Sequence, residues 1–256
     1  MKISIIQPDT IWEDKDANFR ILDKMISALD SSPEIIILPE MFNTGFSMDT
    51  KGMSEPLKGK TYEWMLSVSE RKECAVCGSY MVRSGKNHYN RWIFITADRR
   101  HHYYDKRHLF RMGDEHVHFT PGKKRLTFMF RGVKIFPGVC YDLRFPVWCR
   151  NTDNYDLMIN CANWPAPRRS VWSTLLLARA LENQCYVAGA NRTGWDGLKT
   201  GYTGDSVIIS PRGEILASAG KNKECSITAE ISIPHLREFR RKFPVLRDID
   251  KFTLLK

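Results

Sequence analysis

Short strands that are apolar at every position set the tightest limit on what this chain can become. Ile35-Ile36-Ile37-Leu38 is the plainest of them, an unbroken aliphatic run between Glu34 and Pro39. A strand with one wet face alternates apolar and polar side chains, whereas one without alternation has to be covered on both sides. Residues 2–7, 134–139, 156–161 and 185–190 read in the same way, and their β-branched content favours strand. Helical spacing fills the gaps. Over residues 16–29, Phe19, Leu22, Met25, Ile26 and Leu29 share one face, and 61–71, 144–151, 170–183 and the basic stretch 233–243 are further predicted helices. Strands are also expected over 74–82, 89–96, 101–104 and 226–231, with a hairpin over 205–218 turning at Pro211-Arg212-Gly213. Strands interleaved with helices point to an α/β fold of sheets under helical cover. The order strand, helix, strand, helix, strand pair occurs twice along the chain.

The 256 residues, 43% of them hydrophobic, suffice for one large domain with a substantial core, and no window has a linker's composition. Lys and Arg outnumber Asp and Glu by 39 to 29, a net charge of +10 that favours an anionic small molecule. The cations are spread along the chain, and the densest run, Lys123-Lys124-Arg125, lacks the interleaved aromatics of a nucleic-acid platform. Nucleic acid is therefore not the expected partner. The apolar run at the start is too short for a signal peptide, and no stretch is long enough to span a bilayer. With seven cysteines, an odd number, the expectation is free thiols in a reducing cytoplasm.

Active sites of such folds collect where strands stop. Cys140 stands at one such end, in Gly138-Val139-Cys140-Tyr141-Asp142, ahead of the helix expected over 144–151. A helix N-terminus there would lower the thiol pKa, and the Tyr141 N–H could face an oxyanion. The alternative is a buried structural cysteine. Glu40 closes the Ile35 strand, and a carboxylate in that position is costly unless paired or working as a base. Lys106, in Tyr104-Asp105-Lys106-Arg107-His108, could steady an oxyanion or be a surface lysine. Glu115 is a second carboxylate that could orient the lysine or the substrate, or be a loop charge. A Cys–His pair through His108, His116 or His118 stays open. Cys74-x-x-Cys77 invites a metal or redox reading, but residues three apart in a strand face opposite ways and no second pair exists.

Taken together, these strand ends resemble the nitrilase (carbon–nitrogen hydrolase) superfamily along nearly the whole chain. The matching stretches are Leu38-Pro39-Glu40-Met41-Phe42, Tyr104-Asp105-Lys106-Arg107-His108-Leu109-Phe110 and Val139-Cys140-Tyr141-Asp142-Leu143-Arg144-Phe145-Pro146. Asn163-Trp164-Pro165, residues 178–184 and Gly204-Asp205-Ser206 add to them. The resemblance implies a four-layer α-β-β-α sandwich, with residues 1–256 as a single carbon–nitrogen hydrolase domain. It implies Cys140 as nucleophile, Glu40 as general base, Lys106 as oxyanion stabiliser and Glu115 as accessory carboxylate, with neither metal nor organic cofactor. It also implies a homodimer or larger homo-oligomer joined through residues 144–151 and 170–183.

Within that superfamily, residues 105–116 and 160–168 are most similar to bacterial omega-amidases, which hydrolyse the terminal amide of 2-oxoglutaramate and 2-oxosuccinamate. The substrate is then a small 2-oxo acid amide. Its far carboxylate needs a cation, for which Arg111, Arg144, Arg168 and Arg192 are candidates, with Arg144 inclined to a structural salt bridge. Phe42, Tyr80, Tyr141, Trp164 and Trp195 are candidate pocket walls. The alternatives are another amidase or carbamoyl hydrolase using the same site, or a non-catalytic member of the fold.

Overall fold

The computed structural model describes residues 1–29 and 32–254. Its first half runs β1 (Lys2–Gln7), α1 (Lys15–Ser27), β2 (Ile35–Ile37), the short α2 (Thr50–Met53), α3 (Lys60–Lys72), β3 (Ala75–Ser84), β4 (Asn87–Ile95) and β5 (His101–Asp105). After α4 (Glu115–His118), the second half runs β6 (Phe128–Phe130), β7 (Val133–Val139), α5 (Pro146–Cys149), β8 (Leu157–Ala162), α6 (Arg169–Asn183) and β9 (Tyr186–Asn191). A small ribbon of β10 (Thr193–Trp195) and β11 (Gly201–Thr203) follows. Then come β12 (Val207–Ile209), β13 (Ile215–Ser218), β14 (Cys225–Glu230) and α7 (Ile233–Lys242).

Two six-stranded sheets form, ordered β14-β1-β2-β3-β4-β5 and β13-β12-β9-β8-β7-β6. Each has three parallel strands at its centre (β1, β2, β3 and β7, β8, β9) flanked by antiparallel ones. The repeated order read from the sequence is thus a repeated topology.

The unbroken apolar strands are explained by two different partners. Ile3 lies beside Ile35, which lies beside Ala75, and Ile5, Ile37 and Cys77 form the next such row. These face the second sheet, with Trp92 and Phe94, in one shared core. The alternate residues Ile6, Ile36, Leu38, Val76 and Ile93 face outward onto Phe19, Leu22 and Ile26 of α1 and Tyr62, Met65 and Val68 of α3. On the second sheet, Trp172, Leu176 and Ala180 of α6 provide the cover. Helix, sheet, sheet, helix is the expected four-layer sandwich. Gly189 lets α6 lie close, since a Cβ there would meet Leu176 Cδ1 at 2.5 Å. Burying a full aliphatic side chain stabilises by roughly 1.5–3 kcal/mol, so these three interfaces supply most of the driving force.

Helix boundaries agree with the periodicity except around Cys140. The helix expected over 144–151 is a 3-10 turn, Cys140–Arg144, followed by only four residues of α5. Pro146 causes the break, because the residue before a proline is pushed out of the helical region, and Phe145 sits at φ −107°, ψ 90°. The short pieces α2, α4, β6, β10 and β11 carry too few residues for a periodic signal.

Candidate active site

β2 delivers Glu40 just beyond its end, and the chain then turns through Met41 at φ +42°. The Met41 N–H is caught by Ser79 Oγ at 3.0 Å, and Gly78 makes room, since a Cβ there would lie 2.8 Å from Leu38 Cβ. β5 delivers Lys106, and Glu115 opens α4. The three side chains meet: Lys106 Nζ donates to Glu40 Oε1 at 2.8 Å and to both oxygens of Glu115 at 3.0 and 2.8 Å. All three residues are buried. Burial alone would push the Lys106 ammonium pKa down, but Glu115 and then Glu40 outweigh it and hold that pKa well above the usual lysine range. Burial also raises the Glu115 carboxyl, against the pull of Lys106 and with a further push from the like charge of Glu40.

β7 ends at Cys140, whose φ of +46° puts a non-glycine residue in the left-handed region. Such strain persists only where the surroundings enforce it. Asp142 is what enforces it here. Its fully buried carboxylate accepts from Val139 N at 3.1 Å, His108 N at 2.9 Å and the Tyr104 hydroxyl at 2.8 Å. The turn at Cys140 is thereby tied to the segment that carries Lys106. The His108 ring also faces Asp142, at 2.8 Å, and stacks on Phe145, while His116 and His118 are exposed. No Cys–His pair assembles.

The thiol pKa lies well above the 9.0 of a free cysteine, first through burial and then through the Glu40 carboxylate, with Lys106 pulling the other way. The expectation of a pKa lowered by a helix N-terminus is overturned, because no helix of useful length follows Cys140. Such a thiol needs a base to ionise it, and the Glu40 carboxylate is close enough to contribute to its shift.

A cavity of about 270 Å³ opens over Cys140, lined by Tyr141, Arg144, Asn163, Trp164 and Arg168 together with Phe46, Met48, Phe110, Met112 and Leu198. Of the expected wall residues, Tyr141 and Trp164 are present. Phe42 is not: it is fully buried, with its ring 5.7 Å from Trp64 in the core beneath α3. Tyr80 packs in the same core, and Trp195 stands exposed in a neighbouring groove. Arg111 is exposed and off the cavity wall. Arg192 is fully buried and engaged with Asp9 and the carbonyls of Thr193 and Trp195.

Arg144 and Arg168 are the two guanidinium groups that reach the cavity. The salt bridge foreseen for Arg144 does not form. It lies over the Trp164 ring at 5.4 Å, as Arg168 lies over Phe110 at 5.2 Å, and among the described residues neither has a carboxylate partner. The aromatic faces hold both cations without neutralising them. The one carboxylate on the wall, Asp196, is taken up by Leu198 N, Thr200 N and the Tyr202 hydroxyl.

Asn90 belongs to no motif in the sequence analysis, and Asn163 and Asp142 stand in its quoted motifs without a role. Asn90 donates to Glu40 and Glu115, Asn163 donates its N–H to Glu40 Oε2 and its side-chain amide to the Glu40 carbonyl, and Asp142 ties the turn. Polar residues within or just after buried strands were the available signal. Cys74 and Cys77 lie in different cores on opposite faces of β3, and no cluster of metal-ligating side chains occurs among the described residues.

A twofold α-β-β-α sandwich with a strand-end cysteine above a Glu–Lys–Glu cluster defines a class of amide-bond hydrolase. The carbon-nitrogen hydrolase family model matches residues 2–241, and the chain belongs to that family. It is 44% identical to the omega-amidase YafV of Escherichia coli K12 over 99% of this chain and 98% of that one. It is 33% identical to the 2-oxoglutaramate amidase of Bacillus subtilis, with 97% of each chain covered. The crystal structure of a CN-hydrolase superfamily protein from Xanthomonas campestris, which carries an arsenic adduct in its active site, superposes with a TM-score of 0.96 at 39% identity, covering 99% of this chain and 98% of that one.

Proposed function

We propose that this enzyme is an omega-amidase, hydrolysing the terminal amide of 2-oxoglutaramate or 2-oxosuccinamate to the 2-oxo-dicarboxylate and ammonia. One observation carries the reading: Cys140, adjoined by the buried Glu40–Lys106–Glu115 cluster, shares its cavity with two guanidinium groups that have no carboxylate of their own. An acyl group ending in a carboxylate supplies the missing anion, and Arg144 and Arg168 are the proposed anchors. The 33–44% identity to omega-amidases and a 2-oxoglutaramate amidase supports the same substrate class.

In the proposed cycle Glu40 takes the thiol proton as Cys140 attacks the amide carbonyl. Lys106 and the Tyr141 N–H stabilise the oxyanion, and Glu40 returns the proton to the nitrogen, which leaves as ammonia. Glu40 then activates water against the thioester, so one carboxylate serves both halves of the cycle. Glu115 holds Lys106 between two negative charges and keeps it cationic in a buried site. Residues 1–256 act as one domain, in the cytoplasm, where the seven cysteines, all free, would stay reduced. We place a homo-oligomer contact on α5 and α6, which expose Val147, Leu177 and Leu181.

Ammonia release from 2-oxoglutaramate, measured beside glutamine, asparagine and a simple nitrile, tests the reading. Fast release from the oxo-acid amide alone, lost in Cys140→Ala, is the expected result. Equal release from glutamine would point to a different amide, and no release from any would sink the assignment.

A further inference from the structure

Resting on the amide-hydrolase reading above, we infer that Asn90, held by Ser79, fixes Glu40 Oε2 as the oxygen that carries the proton between the thiol and the leaving nitrogen.

Asn90 sits on β4 with 1% of its surface exposed. Its Nδ2 donates to Glu40 Oε1 at 2.8 Å and to Glu115 Oε1 at 2.9 Å, and its main-chain carbonyl accepts from Lys106 N at 3.0 Å. Its orientation is settled by its partners. Oδ1 accepts from the Ser79 hydroxyl at 2.8 Å, while Ser79 Oγ accepts from Met41 N. A flipped amide would set Oδ1 against two carboxylate oxygens. Asn90 therefore presents both its N–H groups to the two acids, and that end of the side chain can only donate.

The consequence falls on Glu40. A carboxylate oxygen has two lone-pair sites. Those of Oε1 are filled by Lys106 Nζ and Asn90 Nδ2, each at 2.8 Å. Oε2 receives the Asn163 N–H at 2.8 Å, which leaves one site open. That side also holds the thiol, since the residue whose N–H meets Oε2 places its carbonyl 3.9 Å from Cys140 Sγ. The proton leaves Sγ for Oε2 as the S–C bond forms and the carbonyl electron pair moves to oxygen. It passes to nitrogen as the C–N bond breaks, and ammonia departs. Oε1 remains a pure acceptor throughout. Asn90 touches neither substrate nor thiol, so it is a positioning residue. The charged and titratable groups facing this pair are Lys106, Glu115 and Cys140, with Cys161 on β8 beneath.

The test is kcat/KM for ammonia release from 2-oxoglutaramate as a function of pH, in full-length wild type, Asn90→Leu and Asn90→Asp. Asn90→Leu removes both donors at similar bulk. Its kcat/KM at neutral pH is expected to fall at least about tenfold, and its acid limb to move to higher pH, because donors that favour the ionised cluster are gone. Asn90→Asp keeps the shape but presents acceptors, and it should lose more than Asn90→Leu. A residue that merely fills space gives the opposite order and an unmoved limb, and either result overturns the inference. Should circular dichroism show Asn90→Leu unfolded, Ser79→Ala takes its place, with a smaller shift in the same direction expected and an unmoved limb decisive against. An active wild type with an unmoved limb removes this inference alone. A wild type that releases no ammonia from any amide removes the reading beneath it as well.

Discussion

The two halves of the molecule share a topology and divide the chemistry. In the first, the turn after β2 carries Glu40, and Lys106 follows β5. In the second, the corresponding turn after β8 carries Asn163, and Cys140 follows β7. The equivalent turns meet face to face, for Asn163 donates to both the carboxylate and the carbonyl of Glu40. The first half supplies a dry, fully buried charge cluster. The second supplies a partly buried thiol and the cations of an open cavity. One scaffold thus makes two environments, a buried one where a proton can be held and moved and a wetter one where a substrate can enter.

Removing the nucleophile should separate chemistry from fold most sharply. Cys140→Ala is expected to lose about 10⁴-fold or more in kcat while its thermal melt stays close to wild type, since alanine keeps the Cβ that the turn at φ +46° already accommodates and removes only the sulfur. A large fall in Tm would mean that the second half's turn is structural instead. In the first half the expectation inverts. Lys106→Met leaves Glu40 and Glu115 buried without their cation, and should cost about 3–5 kcal/mol in a denaturant titration as well as activity. Unchanged stability would show that the cluster is neutral when the enzyme is free.

At the cavity, Arg144→Ala and Arg168→Ala should each raise KM for a 2-oxo acid amide about 10–100-fold and leave the melt unmoved, while a neutral amide such as propionamide is affected little. Equal losses on both substrates would argue against a carboxylate anchor. The smallest effect concerns pH. With its pKa raised by burial and Glu40, Cys140 exists as thiol at neutral pH, so iodoacetamide modification should keep accelerating above pH 9.0. A rate already level near neutrality would mean a preformed thiolate.

Much of this was legible in the sequence because it depends on unbroken or periodic patterns. The Ile35 strand announced a sheet covered on both faces, and α1, α3 and α6 followed their spacing. The strand-end residues Glu40, Lys106 and Cys140 were visible as charged or reactive side chains where apolar runs stop. What was not legible depends on partners distant in the chain. Asn90 reads as one polar residue inside a strand, and its meaning comes only from Glu40, Glu115 and Ser79. Phe42 and Trp164 look alike as aromatics beside site motifs, yet one faces α3 and the other the cavity. The helix after Cys140 failed because Pro146 interrupts it, a local signal outweighed by the apolar pattern around it.

The pairing of β1 with β14 has a consequence for how the molecule is made. Ser4 and Thr228 bond across this ladder although 224 residues separate them. While the ribosome is still supplying what lies between, β1 is the open margin of an isoleucine-rich sheet, with its outer row of amides and carbonyls unclaimed. Such margins recruit neighbouring nascent chains. The half that holds the buried Glu40–Lys106 cluster is therefore the first to be synthesised and the last to be closed, and a polypeptide released before residue 225 leaves that seam unsealed.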